Sequence, residues 1–175
     1  VGIRASPTKD FEGRINILHT PKSDKDRDLM WAKTLSDVQK KKIWKVSKDY
    51  LKIIASRFLI HQAEKDRIIY DYSPFNGIFD APYFKQPTCT EMLKYFNTGY
   101  FFTIDHKSAY FQIPINLSDA ALFGFSQRDT KNKEHFFIHR SPPFGWSRSP
   151  YIYDKFWDEF MGFVRKTGIK ALKFL

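Results

Sequence analysis

Tyr-Phe-Phe-Thr-Ile at 100–104 is a run of aromatic and β-branched residues that predicts a buried strand. Gly99 marks its start and Asp105 its end. A carboxylate is costly inside a core, so Asp105 is expected at the strand tip, facing a cleft. Upstream, Thr88-Cys89-Thr90-Glu91 has capping-box spacing and predicts a helix to about Asn97, with Met92, Leu93 and Phe96 inward.

Other elements follow from the same patterning. Leu35, Val38, Ile43 and Val46 at helical spacing predict a short amphipathic helix over 35–46, with Lys40, Lys41, Lys42 and Lys45 on one side and Ser36-Asp37 as its cap. Residues 53–72 read as a β-hairpin turning at 63–66, with Arg57, Lys65 and Arg67 on or near it. A proline-punctuated turn at 73–77 leads into extended chain. Residues 116–119 predict a short turn or helix, 121–125 and 135–139 paired strands, and 141–146 a rigid loop. Ser149 and Pro150 open a helix whose apolar face is Tyr153, Phe156, Trp157, Phe160 and Val164, and Gly168 ends it. A new strand is expected from Ile169. Residues 1–34 show no persistent period and are expected to be a loosely ordered lead-in, tied down by Leu29, Met30 and Trp31.

Composition narrows the classes. At 175 residues, 42% hydrophobic and 18% aromatic, the chain can bury a core and is not a disordered segment. It opens on Val1 rather than Met, which predicts a piece of a longer chain. No apolar run is long enough to cross a bilayer. Cys89 is the single cysteine, so no internal disulfide forms and an intracellular setting is expected. The net charge is +10, with 16 Lys/Arg against 9 Asp/Glu in residues 1–67. That excess favours a polyanionic partner such as nucleic acid. His19, His61, His106, His135 and His139 give no zinc spacing with Cys89, and neither a P-loop nor a nucleophile elbow is present.

Residues 105–115 suit chemistry on phosphates. A carboxylate at a strand tip is a hard oxygen ligand for Mg²⁺, which takes one or two carboxylates plus substrate phosphate oxygens. Small Ser108 and Ala109 let backbone approach a triphosphate, and Tyr110 can pack under a sugar. A strand-end Asp that merely closes a turn, with Tyr110 in the core, is the plainer alternative.

Three blocks in one order decide between these: KDRIIYDY at 65–72, FFTIDHKSAYFQIPI at 101–115, and SPPFGWSRSP at 141–150 ahead of an aromatic helix. Over residues 35–175 this order and spacing resemble a reverse transcriptase. The AYFQIPI form resembles LTR, pararetroviral or tyrosine-recombinase (DIRS-like) retroelements. The resemblance implies an α+β fold, the fingers and palm of a right-hand polymerase, with an antiparallel palm sheet backed by helices. Fingers would span about 35–87 and palm about 88–175. It implies that Asp105 is the catalytic, metal-binding aspartate with the His106 backbone carbonyl beside it. Ser108 and Ala109 would meet the triphosphate through backbone N–H groups, and Tyr110 would exclude a 2′-OH. Arg67, with Lys65 as the second fingers cation, would grip the incoming phosphates, and Phe144 would line the nucleotide in the loop 143–146. Asp71 and Asn76 match a segment with a structural role.

The resemblance further implies two Mg²⁺ ions, or Mn²⁺, a template-primer of RNA or DNA, dNTP substrates and no membrane partner. The family's Asp-Asp pair is expected in a turn beyond Leu175, with thumb and RNase H regions in the parent polyprotein. One carboxylate cannot hold two ions, so residues 1–175 alone are expected to be inactive. The alternative is a catalytically dead or domesticated relic that binds nucleic acid through its basic and aromatic residues.

Overall fold

The computed structural model of the chain describes residues 2–5, 7–8, 14–17, 21, 23–95, 104–171 and 173. Among them the fold is mixed α/β. Strands β1 (Ile15–Asn16), β2 (Ile43–Val46), β3 (Ile53–Ile60), β4 (Arg67–Asp71), β5 (Gly124–Arg128) and β6 (Glu134–His139) form one sheet in the order β1-β3-β5-β6-β2, with β4 on β3. Helices α1 (Asp24–Gln39), α2 (Cys89–Tyr95) and α3 (Ser149–Lys166) accompany it. Strand β3 runs parallel to β1 and β5, and the remaining pairs are antiparallel, so the described sheet is mixed.

Strand β3 has two sets of neighbours. Its first residues, Ile53 to Ala55, are apolar on both faces, fully buried, and paired with β1 and β5. From Ser56 to Ile60 it pairs instead with β4, in the expected hairpin closed at Ile60–Arg67. Three clusters form on this frame, one of Leu51, Ile54, Ala120 and Ile138 and two rich in aromatic residues. Of the aromatic two, one gathers Ile53, Tyr72, Phe75, Phe79, Phe123 and Trp146; the other joins Ile43, Phe125 and Phe137 to Trp31 and Val38 of α1. Phe123 and Phe125 are 0% exposed, and burying each such ring contributes roughly 1.5–3 kcal/mol.

The N-terminal part departs from expectation. Of its described residues, Asp24 onward forms α1, where the Asp26 N–H donates to Ser23 Oγ (3.1 Å) and Asp24 and Asp26 sit in the first turn. Capping and the helix dipole thus start a helix whose sparse apolar residues give no clear period. Residues 2–8 also are not loose where described: Ile3 bridges Ile115, Pro7 bridges Phe79, and Ala5 N–H donates to buried Asp119 (2.7 Å). Single-residue bridges leave no periodic signature in a sequence. The helix expected over 35–46 ends instead at Gln39, because Lys41 takes a left-handed conformation (φ 56°) and Ile43 to Val46 become β2 against β6. Ile43 and Val46, spaced three apart, imitated a helical face.

Further elements hold with adjusted bounds. The capping box at α2 is present: Thr88 N–H donates to Glu91 Oε2 (2.7 Å) and Glu91 N–H to Thr88 Oγ1 (3.2 Å). Leu93, however, is 74% exposed, since a two-turn helix has only a narrow covered face. Ser149 does not cap α3. Its hydroxyl donates to the Pro143 carbonyl (2.6 Å), and the cap position falls to Arg148. The buried side of α3 is Ile152 and Met161, whereas Phe156 and Phe160 are exposed. Gly168 ends the helix with φ 85°. No strand forms among residues 169–171 and 173; Lys173 instead returns to α3, 3.0 Å from Asp154 and 2.5 Å from Asp158. The strand expected at 100–104, with Gly99 and Phe96, lies outside the described residues apart from Ile104, which is exposed and unpaired. No helix among the described residues is long and apolar enough to cross a membrane.

His139 makes stability depend on pH. Its imidazole is buried edge-on to Tyr70 (4.5 Å) with Nε2 unpartnered, and burial, then the Arg57 charge, push its pKa down to about 3. The unfolded chain binds this proton near pH 6.5 and the folded chain does not. Stability is therefore complete above about pH 6.5 and falls toward pH 3 by up to about 1.4 kcal/mol per pH unit. His61 has the opposite sign, its pKa raised by hydrogen bonds to Asp66 and Asp26, so the comparison must isolate His139. Urea unfolding from pH 8 to 4.5 is expected to show a shallower acid slope in His139→Phe than in the wild type; equal slopes would remove His139 as the cause.

Candidate active site

The loop 141–148 is fixed by contacts on both of its flanks. Gly145 has φ 91°, and a Cβ there would lie 2.5 Å from the Tyr70 carbonyl oxygen, so only glycine allows the loop to reach β4. Asn76, in the 3₁₀ turn Ser73–Ile78, latches it from the other side. Its Nδ2 donates to the Gly145 carbonyl (3.1 Å) and its Oδ1 accepts from Ser147 N–H (2.9 Å). Asp71 steadies that turn by accepting from Ser73 N–H (3.0 Å). Trp146 is buried against Phe79 and Phe123. With both flanks held, Phe144 projects outward, 59% exposed.

Residues 104–112 meet this loop. Ser108 is left-handed (φ 58°, ψ 43°) and opens a 3₁₀ turn, Ala109–Gln112. The turn sets the Tyr110 ring 4.9 Å from Phe144 and 5.7 Å from Tyr153 of α3. Tyr110 is half-buried, and desolvation, then Tyr153, raise its pKa. His106 Nδ1 lies 3.0 Å from the Tyr153 hydroxyl, and its ring stands edge-on to Trp157 at 4.5 Å. Burial, then the charge of Asp105, raise the pKa of Tyr153. Asp105 itself is exposed, with no hydrogen bond or ion pair among the described residues.

His106, Tyr110 and Phe144 thus meet at one corner against Tyr153 of α3, with Asp105, Ser108 and Ala109 beside them in sequence. Arg67 and Lys65 are not joined to it by any contact among the described residues. Both are exposed on the β3–β4 hairpin, whose base touches the site through Tyr70 and Gly145. At about 3.3 Å per residue, Arg67 stands roughly 10 Å along the strand from Tyr70. Arg57 is not a hairpin-tip cation: it is 4% exposed inside the sheet. His61 occupies the tip, 2.7 Å from Asp66 and 3.0 Å from Asp26 of α1.

Three side chains of this corner were not visible as such in the sequence. Tyr153 and Trp157, read as part of a buried helix face, turn toward His106 and Tyr110. Their spacing of four on a helix whose buried positions are Ile152 and Met161 was the available signal. The His106 side chain, expected to offer only its backbone, organises that corner. As a metal site the arrangement is partial. Asp105 is a free hard-oxygen donor of the kind Mg²⁺ takes, but no group of three or more His, Cys, Asp or Glu residues that could hold an ion occurs among the described residues.

The described fold thus joins a mixed sheet and its β3–β4 hairpin to an aromatic corner with an exposed aspartate beside it. The family model described as reverse transcriptase (RNA-dependent DNA polymerase) matches residues 36–175, and the chain belongs to that family. No curated protein matches the chain.

The loop geometry has a direct test. Gly145→Ala adds left-handed strain and a clash with the Tyr70 carbonyl, and is expected to cost about 2–4 kcal/mol in urea unfolding. Asn76→Ala leaves two backbone groups without their partner and is expected to cost about 1–3 kcal/mol. Wild-type stability in both variants would contradict the latch.

Proposed function

We propose that this chain is the fingers and palm portion of an RNA-directed DNA polymerase from a retroelement of LTR, pararetroviral or tyrosine-recombinase type. Fingers would cover about 35–87 and palm about 88–175 of a right-hand polymerase working inside the cell. The observation that carries the reading is the Tyr110–Phe144 contact. Two blocks more than thirty residues apart in sequence, each matched to nucleotide binding, meet there beside Asp105.

Each residue then has a task. Tyr110, held by Phe144 and Tyr153, packs under the sugar and leaves no room for a 2′-OH, selecting dNTPs. Ser108 and Ala109 sit at the start of a 3₁₀ turn, whose first N–H groups are not used within it and are free for the triphosphate. Arg67 grips phosphate oxygens through its planar fork, with Lys65 as a second charge on the same hairpin. Asp105 and the His106 carbonyl would supply oxygen ligands to Mg²⁺ or Mn²⁺. Such ions, when bound, stabilise charge on the transferring phosphate. Catalysis beyond that is positioning of the template-primer and dNTP. The Asp-Asp pair, thumb and RNase H regions belong to the parent polyprotein in this reading, and residues 1–175 alone do not polymerise.

Sugar selection gives the test. In the parent chain, Tyr110→Val is expected to raise ribonucleotide over deoxyribonucleotide incorporation by about tenfold or more, equivalent to about 1.4 kcal/mol of lost discrimination. Unchanged selectivity in a variant that still extends primers would overturn the assignment of Tyr110. A parent chain that binds template-primer but never extends it would identify a nucleic-acid-binding relic instead.

A further inference from the structure

Strand β2 is an edge of the described sheet, paired with β6 on one side. Its two faces differ. Ile43 and Lys45 share the face of Phe137, which α1 covers through Trp31 and Val38. Trp44 and Val46, with their partners Ile138 and Phe136, share the opposite face. There a groove of about 350 Å³ opens, lined by Trp44, Ile115, Leu117, Ala120, Ile138 and Arg140. Ligand sites span about 300–1,000 Å³, so this groove is large enough for one. Trp44 and Leu117 are exposed, and Tyr50, also exposed, donates its hydroxyl to the Leu117 carbonyl (3.0 Å).

Three cations lie on aromatic rings along this face. The Arg140 guanidinium is 4.1 Å from the Trp44 ring, Lys48 Nζ is 5.6 Å from Phe136 and Lys42 Nζ is 4.1 Å from Phe111. Arg140 Nη1 donates to the Lys41 carbonyl (3.2 Å). None of the three makes an ion pair among the described residues. Residues 39–48 hold five lysines and no carboxylate, and the next carboxylate, Asp49, lies against Arg14 (3.4 Å). Lysines on an edge strand can serve only to repel a further strand. An exposed tryptophan beside an apolar groove works against that protection. Rings paired with unneutralised cations are the chemistry that holds unpaired bases and their phosphates.

We propose that this face of β2 and β6 is a binding surface for single-stranded nucleic acid. A base enters the groove against Trp44, while Arg140, Lys42 and Lys48 receive the phosphates. The surface is distinct from the Tyr110 corner and does not rest on the polymerase reading.

The probe is fluorescently labelled oligothymidylate, its binding to the parent chain followed by anisotropy over a salt series. Trp44→Ala is expected to weaken binding roughly five- to tenfold, the loss of one stacked base, and Trp44→Phe to retain most of the affinity. Since Trp44→Ala can fail to fold, Arg140→Gln gives an independent measure. Its slope of log affinity against log salt is expected to be shallower by about 0.7, one phosphate contact. Tyr110→Val is expected to bind oligothymidylate as the wild type does, and Arg140→Gln to extend primers normally at saturating template-primer. A parent chain that fails to extend primers would therefore remove the polymerase reading and leave this one standing. Wild-type affinity and salt slope in both Trp44→Ala and Arg140→Gln, or equal weakening by Tyr110→Val, would overturn the proposal. So would a change of oligomeric state in these variants with binding unaltered, which would place a second copy of the chain on this face.

Discussion

The close approach of Gly145 to the Tyr70 carbonyl is the constraint on which the candidate site rests. Nothing larger than hydrogen fits there. Asn76 bonds the loop on both sides of that point, and Ser149 bonds it again at Pro143. These contacts join the start of α3 to the end of β4. Phe144 therefore stands at a fixed height, Tyr110 packs on it, and Tyr153 closes the corner from the helix. A loop of proline, glycine and aromatics thus behaves as part of the core, because Trp146 is buried within it.

A second constraint acts inside the sheet. Strand β3 changes partners between Ala55 and Ser56, and Arg57 comes immediately after the change. Tyr70, Phe125 and His139 pack around this cation, which helps keep His139 neutral. The hairpin that carries Lys65 and Arg67 is the outward continuation of the same strand. Its base is rigid, whereas its tip is held by polar contacts from His61 to Asp66 and Asp26 and from Lys33 to the Asp66 carbonyl.

Much of the local structure was legible in the sequence because the signals were themselves local. The Thr88–Glu91 capping box, the turn of the hairpin expected over 53–72 and the Gly168 stop each depend on residues a few positions apart. What could not be read depends on distant partners. Ile43 and Val46 fit a helix or a strand equally well until β6 is beside them, and the bridges of Ile3 and Pro7 exist only once 115 and 79 are placed. Arg57 looked like a hairpin cation because burial of a charge leaves no mark in sequence. Of the residues that the family resemblance picked out, Tyr110 packs on Phe144 and His106 meets Tyr153, while Arg67 and Lys65 stand apart on the hairpin. The parts played by the His106 ring, Tyr153 and Trp157 needed the packing of α3. Asp105 has a location in the fold, while its task remains part of the proposal.

The most direct measurement is primer extension by the parent chain with Asp105→Asn, on a template-primer with Mg²⁺ and dNTPs. The substitution keeps the size, removes the charge and turns one acceptor oxygen into an N–H donor. A fall in incorporation of roughly 10³-fold with unchanged template-primer affinity is expected if Asp105 is the first catalytic carboxylate. Extension at the wild-type rate would contradict that assignment and the polymerase reading built on it.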